Sequence, residues 1–157
     1  MAEGTGLVMN QLKYFVGSKQ INLKATDVLK VILCTGTNPT SPDGSPKLAD
    51  AGYAQPTMSG YTAGGQTISS RTYLQYDATD TAEMRITNPT WTALFTPSAP
   101  VTFAALYLSA TGLVPSVGGT VDNPILATWE LSATDHQPNG GDYTLSWSTA
   151  VAMLKLT

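Results

Sequence analysis

VTFAALYLS, residues 101–109, is the most strand-like run in the chain, with β-branched and aromatic residues throughout. On its N-terminal side, residues 96–100 break the pattern, 91–95 resume it, and Asn88-Pro89-Thr90 breaks it again. Residues 82–87 read as a strand with Met84 and Ile86 on one side. Residues 66–76 read as another, in which Ile68, Tyr73, Leu74 and Tyr76 alternate with Ser69, Thr72 and Gln75. The alternation shifts phase near Arg71, which predicts a bulge, and a turn over 78–81 makes the two strands a hairpin. On the C-terminal side, 112–123 is a Gly-rich crossing, 124–132 a strand with Ile125, Ala127 and Trp129 on one face, and 134–141 a polar loop. Tyr143, Leu145 and Trp147 then alternate with Thr144, Ser146 and Ser148 as a half-buried strand, and 151–156 supplies the last one. Roughly seven or eight strands with turns every 8–12 residues predict an all-β, antiparallel β-sandwich, jelly-roll or Ig-like, or a flattened barrel. No internal repeat is evident, which disfavours a solenoid or propeller.

The N-terminal third is organised differently. Val8, Leu12, Phe15 and Val16 recur at i, i+4, i+7 and i+8, so 7–18 is expected to be a short amphipathic helix, with Thr5 near its N-cap and Gly17 near its end. Its apolar face either packs against the rest of the domain, the simpler use, or docks into a neighbouring subunit. Residues 1–20 thus form a helical arm, and Ile21-Asn22-Leu23 an extended linker. In 27–36, Leu29, Val31 and Leu33 alternate with Lys30, Ile32 and Cys34, a strand with one apolar face and one partly wet face. The periodic signal then disappears over 37–60, where three prolines (Pro39, Pro42, Pro46) and an Asp43-Gly44 pair forbid a central ladder. A surface loop longer than about 15 residues is uncommon unless it contacts something, so this one is expected to be an assembly-contact or receptor-contact arm, the other reading being a solvated loop with no partner. It ends at SGYTAGGQTIS, residues 59–69, whose paired glycines read as a tight turn delivering the chain into the sheet.

Composition bounds the function. A chain of 157 residues fits one domain, here 1–157. Charged residues are 12% of it, about half the usual ~25%, so hydroxyls and backbone must cover the surface. Such a surface suits a protein that spends its life assembled, since charge would have to be desolvated at each contact. A net charge of −3, with eight scattered basic residues, argues against nucleic acid as a partner. No run of 18 apolar residues is present for a membrane span, and Met1-Ala2-Glu3-Gly4 lacks the basic start and apolar core of a signal peptide, so synthesis in the cytoplasm without export by the general route is expected. Lone Cys34, in an apolar run, reads as a buried thiol.

No constellation points to catalysis, a cofactor or a metal. His136, with Asp135 beside it and Asp142 six residues on, is the only histidine, and it sits in a Pro-Asn-Gly-Gly loop without convergent ligands or a nucleophile. Asp77 and Asp80 lack the dense acidic loop of calcium motifs and fit turn capping. Gly64-Gly65 has no following Lys-Ser/Thr and no helix to cradle phosphate. Trp91, Trp129 and Trp147 fit sheet packing, although solvent-facing Tyr53, Tyr61 or Trp91 would instead mark a glycan-binding face.

The order of N-terminal helix, Ile21-Asn22-Leu23, LKVIL (29–33), proline-rich loop, GYTAGG (60–65), Asn88-Pro89-Thr90-Trp91, the run 101–107, DNPILA (122–127) and DYTLSW (142–147) resembles a group of tailed-bacteriophage virion structural proteins. The likeness in element order covers nearly the whole chain, and GYTAGG is its most specific piece. The chain departs from the pattern in a longer proline-rich insert and an extra Thr79-Asp80-Thr81 turn. What the resemblance implies is a non-enzymatic virion component without cofactor. The expected role is that of a capsid decoration or cement protein on the head surface, partnered by the major capsid (coat) protein and by itself as a homodimer or homotrimer. The alternative is a tail-associated or host-adhesion, glycan-binding module. Leu12, Phe15, Pro39, Pro42, Pro46, Tyr53 and Tyr61 are the candidate assembly contacts.

Overall fold

The computed structural model describes residues 6–23, 27–44, 46–76, 81–96, 99–115, 119–131, 138–146 and 154–156. The chain is mostly β, with antiparallel sheets and one short helix. In order the elements are β1 (Gly6–Val8), α1 (Asn10–Gly17), β2 (Leu29–Cys34), a single 3-10 turn (Ala51–Tyr53), β3 (Gln66–Thr67), β4 (Arg71–Tyr76), β5 (Thr81–Ile86), β6 (Thr90–Trp91), β7 (Phe103–Leu108), β8 (Ile125–Glu130), β9 (Tyr143–Thr144) and β10 (Leu154–Leu156). They pair as a five-stranded sheet β1-β8-β7-β2-β3, a three-stranded sheet β10-β5-β4 and the two-stranded β6-β9.

At the centre of the large sheet, β7 lies between β2 and β8, with Val31 opposite Leu106 and Leu106 opposite Ala127. Both faces of this sheet are buried. One carries Leu29, Val31, Leu33, Ala104, Leu106, Leu108 and Ala127 into a core shared with Leu12 and Phe15 of α1, Met84 of β5, Trp91 of β6 and Leu145. The other carries Ile32, Cys34, Phe103, Ala105 and Tyr107, closed over by Met9 and Tyr53. The face of β2 expected to be partly wet is therefore a second core, on which Lys30 keeps partial exposure and Thr67 of β3 and Glu130 of β8 are exposed at the margins.

The expected face of β8 also needs correction. Ladder partners slip between Leu106 and Tyr107, so that Leu106 meets Ala127 while Tyr107 meets Ile125. Leu126 is the extra residue of this bulge, and it sends Ile125 to the opposite side from Ala127 and Trp129. At the margin, β1 runs beside β8 with Gly6 opposite Trp129; a Cβ on Gly6 would stand 2.7 Å from the indole Nε1.

The first turn of the expected 7–18 helix is instead the extended β1, because Val8 and Leu7 pair with Ala127 and Thr128. The helix starts after Met9, whose side chain offers no cap, and Thr5 lies outside the described residues. Gly17 is its last residue, yet the left-handed position that closes it is taken by Lys19 (φ 58°), with Gln20 N–H donating to Phe15 O at 3.0 Å. Residues 66–76, expected as one strand, are two. β3 pairs with β2, and β4 pairs with β5 in another sheet; the phase shift near Arg71 marks the crossing between sheets. The expected hairpin of β4 and β5 forms, from Arg71 opposite Ile86 to Tyr76 opposite Thr81.

Candidate functional site

The proline-rich segment 37–60 is tied to the body rather than held away from it. Asn10 N–H donates to Pro42 O (3.0 Å), Ile125 N–H to Pro46 O (2.9 Å), Leu48 N–H to Asn123 O (3.0 Å) and Thr35 N–H to Ala54 O (2.9 Å). Asn10 Nδ2 also donates to the Asp43 carboxylate, which is held in turn by Ser41 Oγ. The prolines fix the local backbone, the carbonyls of Pro42 and Pro46 themselves accept, and the segment covers the second face of the large sheet.

Gln11 is the side chain that locks this arrangement, and sequence reading passed it over. It is buried on α1, and its Nε2 donates to Pro46 O at 2.7 Å and to Ile125 O at 2.5 Å. The signal was present in the spacing: Gln11 is three residues after Val8 and four before Phe15, on the buried stripe, but its polarity hid it. Gln11→Ala is expected to cost about 1–2 kcal/mol, since the buried Ile125 carbonyl loses this donor and a void opens, while Pro46 O keeps its bond from Ile125 N–H. It should also make 39–48 more sensitive to limited proteolysis, whereas an unchanged urea midpoint would show that the clamp is dispensable.

The candidate contacts separate into two groups. Leu12 and Phe15 are fully buried (0% exposed), and Tyr53 is buried edge-on against Phe103 with ring centroids 6.0 Å apart. These three therefore cannot meet a partner; their apolar surface is used inside the chain. Pro39, Pro42 and Pro46 remain half-exposed on the pinned segment. Tyr61 is half-buried and works inward: its hydroxyl accepts from Leu33 N–H (3.2 Å) and donates to Gln55 Oε1 (2.9 Å), which also accepts from Gly64 N–H (2.8 Å). Tyr107 donates to Gly64 O at 2.9 Å. The 55–65 turn is thus bonded across the ends of β2 and β7. The Tyr61 ring stacks on buried Trp91 (6.3 Å, 22°), and Trp91 meets Tyr143 at 6.4 Å. Tyr53, Tyr61 and Trp91 consequently form no coplanar solvent-facing platform. Trp147, His136, Asp135, Asp77 and Asp80 lie outside the described residues.

No protein-family model, curated protein or solved structure matches the chain. Its surface chemistry must therefore be read from its own residues. Among the described residues, no three His, Cys, Asp or Glu side chains converge as metal ligands, and no helix is long and apolar enough to cross a membrane. Asp142, proposed only as a distant partner of His136, accepts from Ala93 N–H at 3.2 Å. It thereby helps hold Ala93 at φ 50°, in a junction where Phe95 N–H donates to Ser59 O and Leu94 N–H to Gly141 O. Phe95 stands out of that junction, 53% exposed, and among the described residues Tyr14, Val16, Val28 and Val114 are the other large apolar side chains exposed outside the strands.

Burial governs the titration of the interior. It drives the Cys34 thiol and the Tyr61 phenol well above their ordinary ranges, and pushes Tyr53 and Tyr143 up to about 12. For Tyr53, nearby Cys34 and Asp50 add smaller increments in the same direction. The folded state thus favours the neutral phenols. Their contribution to stability is complete below the unfolded value of about 10 and is lost as pH rises through the folded values. The urea midpoint should be level from neutral pH to about 9 and fall above about 10, ahead of the phenolate absorbance of the buried tyrosines in the folded chain; a midpoint level into strong alkali would contradict the burial.

Proposed function

We propose that the protein is a structural component of a tailed-bacteriophage virion, a non-enzymatic decoration or cement protein that bridges coat subunits on the outside of the head. The observation that carries the proposal is a weakly charged surface whose loops are already fixed: charged residues are 12% of the chain, and the proline-rich segment is bonded at Pro42, Pro46, Leu48 and Ala54. A surface of this kind loses little to desolvation when pressed onto a protein lattice, and pinned loops lose little conformational entropy on docking. The half-exposed prolines, with Phe95 and Val114 at other loops, supply apolar contact area.

The packing supports a sandwich architecture within a single domain, because one core draws Val31 and Leu106 from the large sheet, Met84 from β5 and Trp91 from β6. The mechanism is mechanical. A rigid β body laid across seams between coat subunits stabilises the closed shell by mass action, and its partners are coat protein and further copies of itself, with no role for nucleic acid or membrane. The chain is made in the host cytoplasm and joins the head there. Cryo-electron microscopy of the parent particle tests this directly: density for the chain is expected on the outer head surface, and density confined to the tail would overturn the head role. Specific binding on a glycan array, lost on Phe95→Ala, would transfer the protein to the host-adhesion class.

A further inference from the structure

We propose that β4 is the surface through which two copies of this chain associate, edge to edge and antiparallel, about a two-fold axis at Tyr73. β4 forms one margin of the three-stranded sheet and is six residues long, whereas β1 and β3, the margins of the five-stranded sheet, have three and two. Thr87 N–H donates to Ser70 O, which fixes the alternation of the β4–β5 ladder. Thr72 and Leu74 exchange main-chain hydrogen bonds with Arg85 and Glu83, and Arg71 and Tyr73 turn their N–H and C=O outward. Among the described residues, no strand pairs with that outer margin.

Exposed margins are normally blunted by lysine, proline, a bulge or a covering segment. RTYLQY has no lysine, proline or glycine, and its ladder with β5 runs without a register shift. Its one cation is withdrawn: the Arg71 guanidinium bends back to donate to Leu23 O at 2.6 Å and to Asp27 O. An edge of main-chain donors and acceptors selects an extended strand as its occupant, and a second β4 is one of matching length. With the axis at Tyr73, each Thr72 lies opposite Leu74 of the other copy, the two Arg71 stand at opposite ends of the ladder, and the Tyr73 rings, 39% exposed in the single chain with their hydroxyls turned back to Leu23 O and Met84 Sδ of their own chain, stand side by side at the axis. Moving the axis to Arg71 would oppose two guanidiniums. The product is one six-stranded sheet, and a two-fold contact of this kind closes at two copies. This pairing needs no coat protein, so it stands or falls independently of attachment to the head.

Sedimentation velocity of the isolated full chain should give a species of twice the 16.5 kDa chain mass at high concentration. Tyr73→Lys and Tyr73→Glu, which oppose like charges at the axis, should each weaken that species by about tenfold or more, and an equimolar mixture should restore it as a heterodimer. Hydrogen exchange on the unmodified chain provides the variant-free measurement: the Arg71 and Tyr73 amides should gain protection as concentration rises through the transition. A chain that stays monomeric, closes as a trimer, keeps its dimer in both variants or shows no protection at those two amides would overturn the proposal.

Discussion

Gly65→Ala is expected to lower the free energy of unfolding by about 3–4 kcal/mol, while the same change at neighbouring Gly64 costs only about 1–2 kcal/mol. Both glycines have positive φ, 93° at Gly64 and 68° at Gly65, a region that costs an ordinary residue the smaller sum by itself. What separates them is space. A Cβ at Gly64 would meet only the Tyr107 hydroxyl at 3.6 Å, an ordinary contact. At Gly65 it would press on the Val31 carbonyl and stand 2.8 Å from Ile32 Cγ2, and the carbonyl belongs to β2, which is held between β7 and β3 and cannot swing away. Urea unfolding of both variants decides the matter; equal effects would mean that the turn does not approach β2 as closely as described.

Trp91→Ala should cost about 3–5 kcal/mol with no change in the denaturant slope. Trp91 is among the largest fully buried side chains, and it fills the space between Tyr61 of the turn, Tyr143 of β9 and the large sheet. Its loss leaves a cavity bounded by elements that are themselves fixed by hydrogen bonds, so collapse into the void is limited. Trp91→Phe should be milder, about 1–2 kcal/mol, because the indole Nε1 has no hydrogen-bond partner among the described residues and its removal relieves a buried unsatisfied donor. If the two variants lost the same stability, the ring would not be packed on both sides.

The strands at 29–34, 103–108 and 125–130 were legible because buried strands announce themselves as apolar runs, and the β4–β5 hairpin because its strands are adjacent in sequence. Less legible were features decided by distant contacts. Ile32 and Cys34 looked half-wet because nothing local says that Tyr53 and Met9 close over them. The facing of Ile125 depended on a bulge at Leu126, inside an apolar run that Pro124 precedes but whose register it does not specify. The proline-rich segment read as an arm because prolines remove donors, yet its anchoring uses the acceptor side, the carbonyls of Pro42 and Pro46. Leu12 and Phe15 were correctly placed on the apolar face of a helix; their burial, with that of Tyr53, left Pro39, Pro42, Pro46 and Tyr61 as the partly accessible members of the candidate contact set.

The pairing of β1 with β8 has a kinetic consequence. Gly6 meets Trp129, so this contact closes a loop that encloses most of the chain, and no local reward precedes it. On the ribosome, residues 6–8 emerge long before their partners exist, and the five-stranded sheet stays incomplete until 125–130 has been made. The same holds for Gln11, whose carbonyl partner Ile125 is a late arrival. The N-terminal strand and helix therefore join last, as a latch on a body already assembled, and refolding should show a slow final phase in which the amides of β1 gain protection after those of β2 and β7.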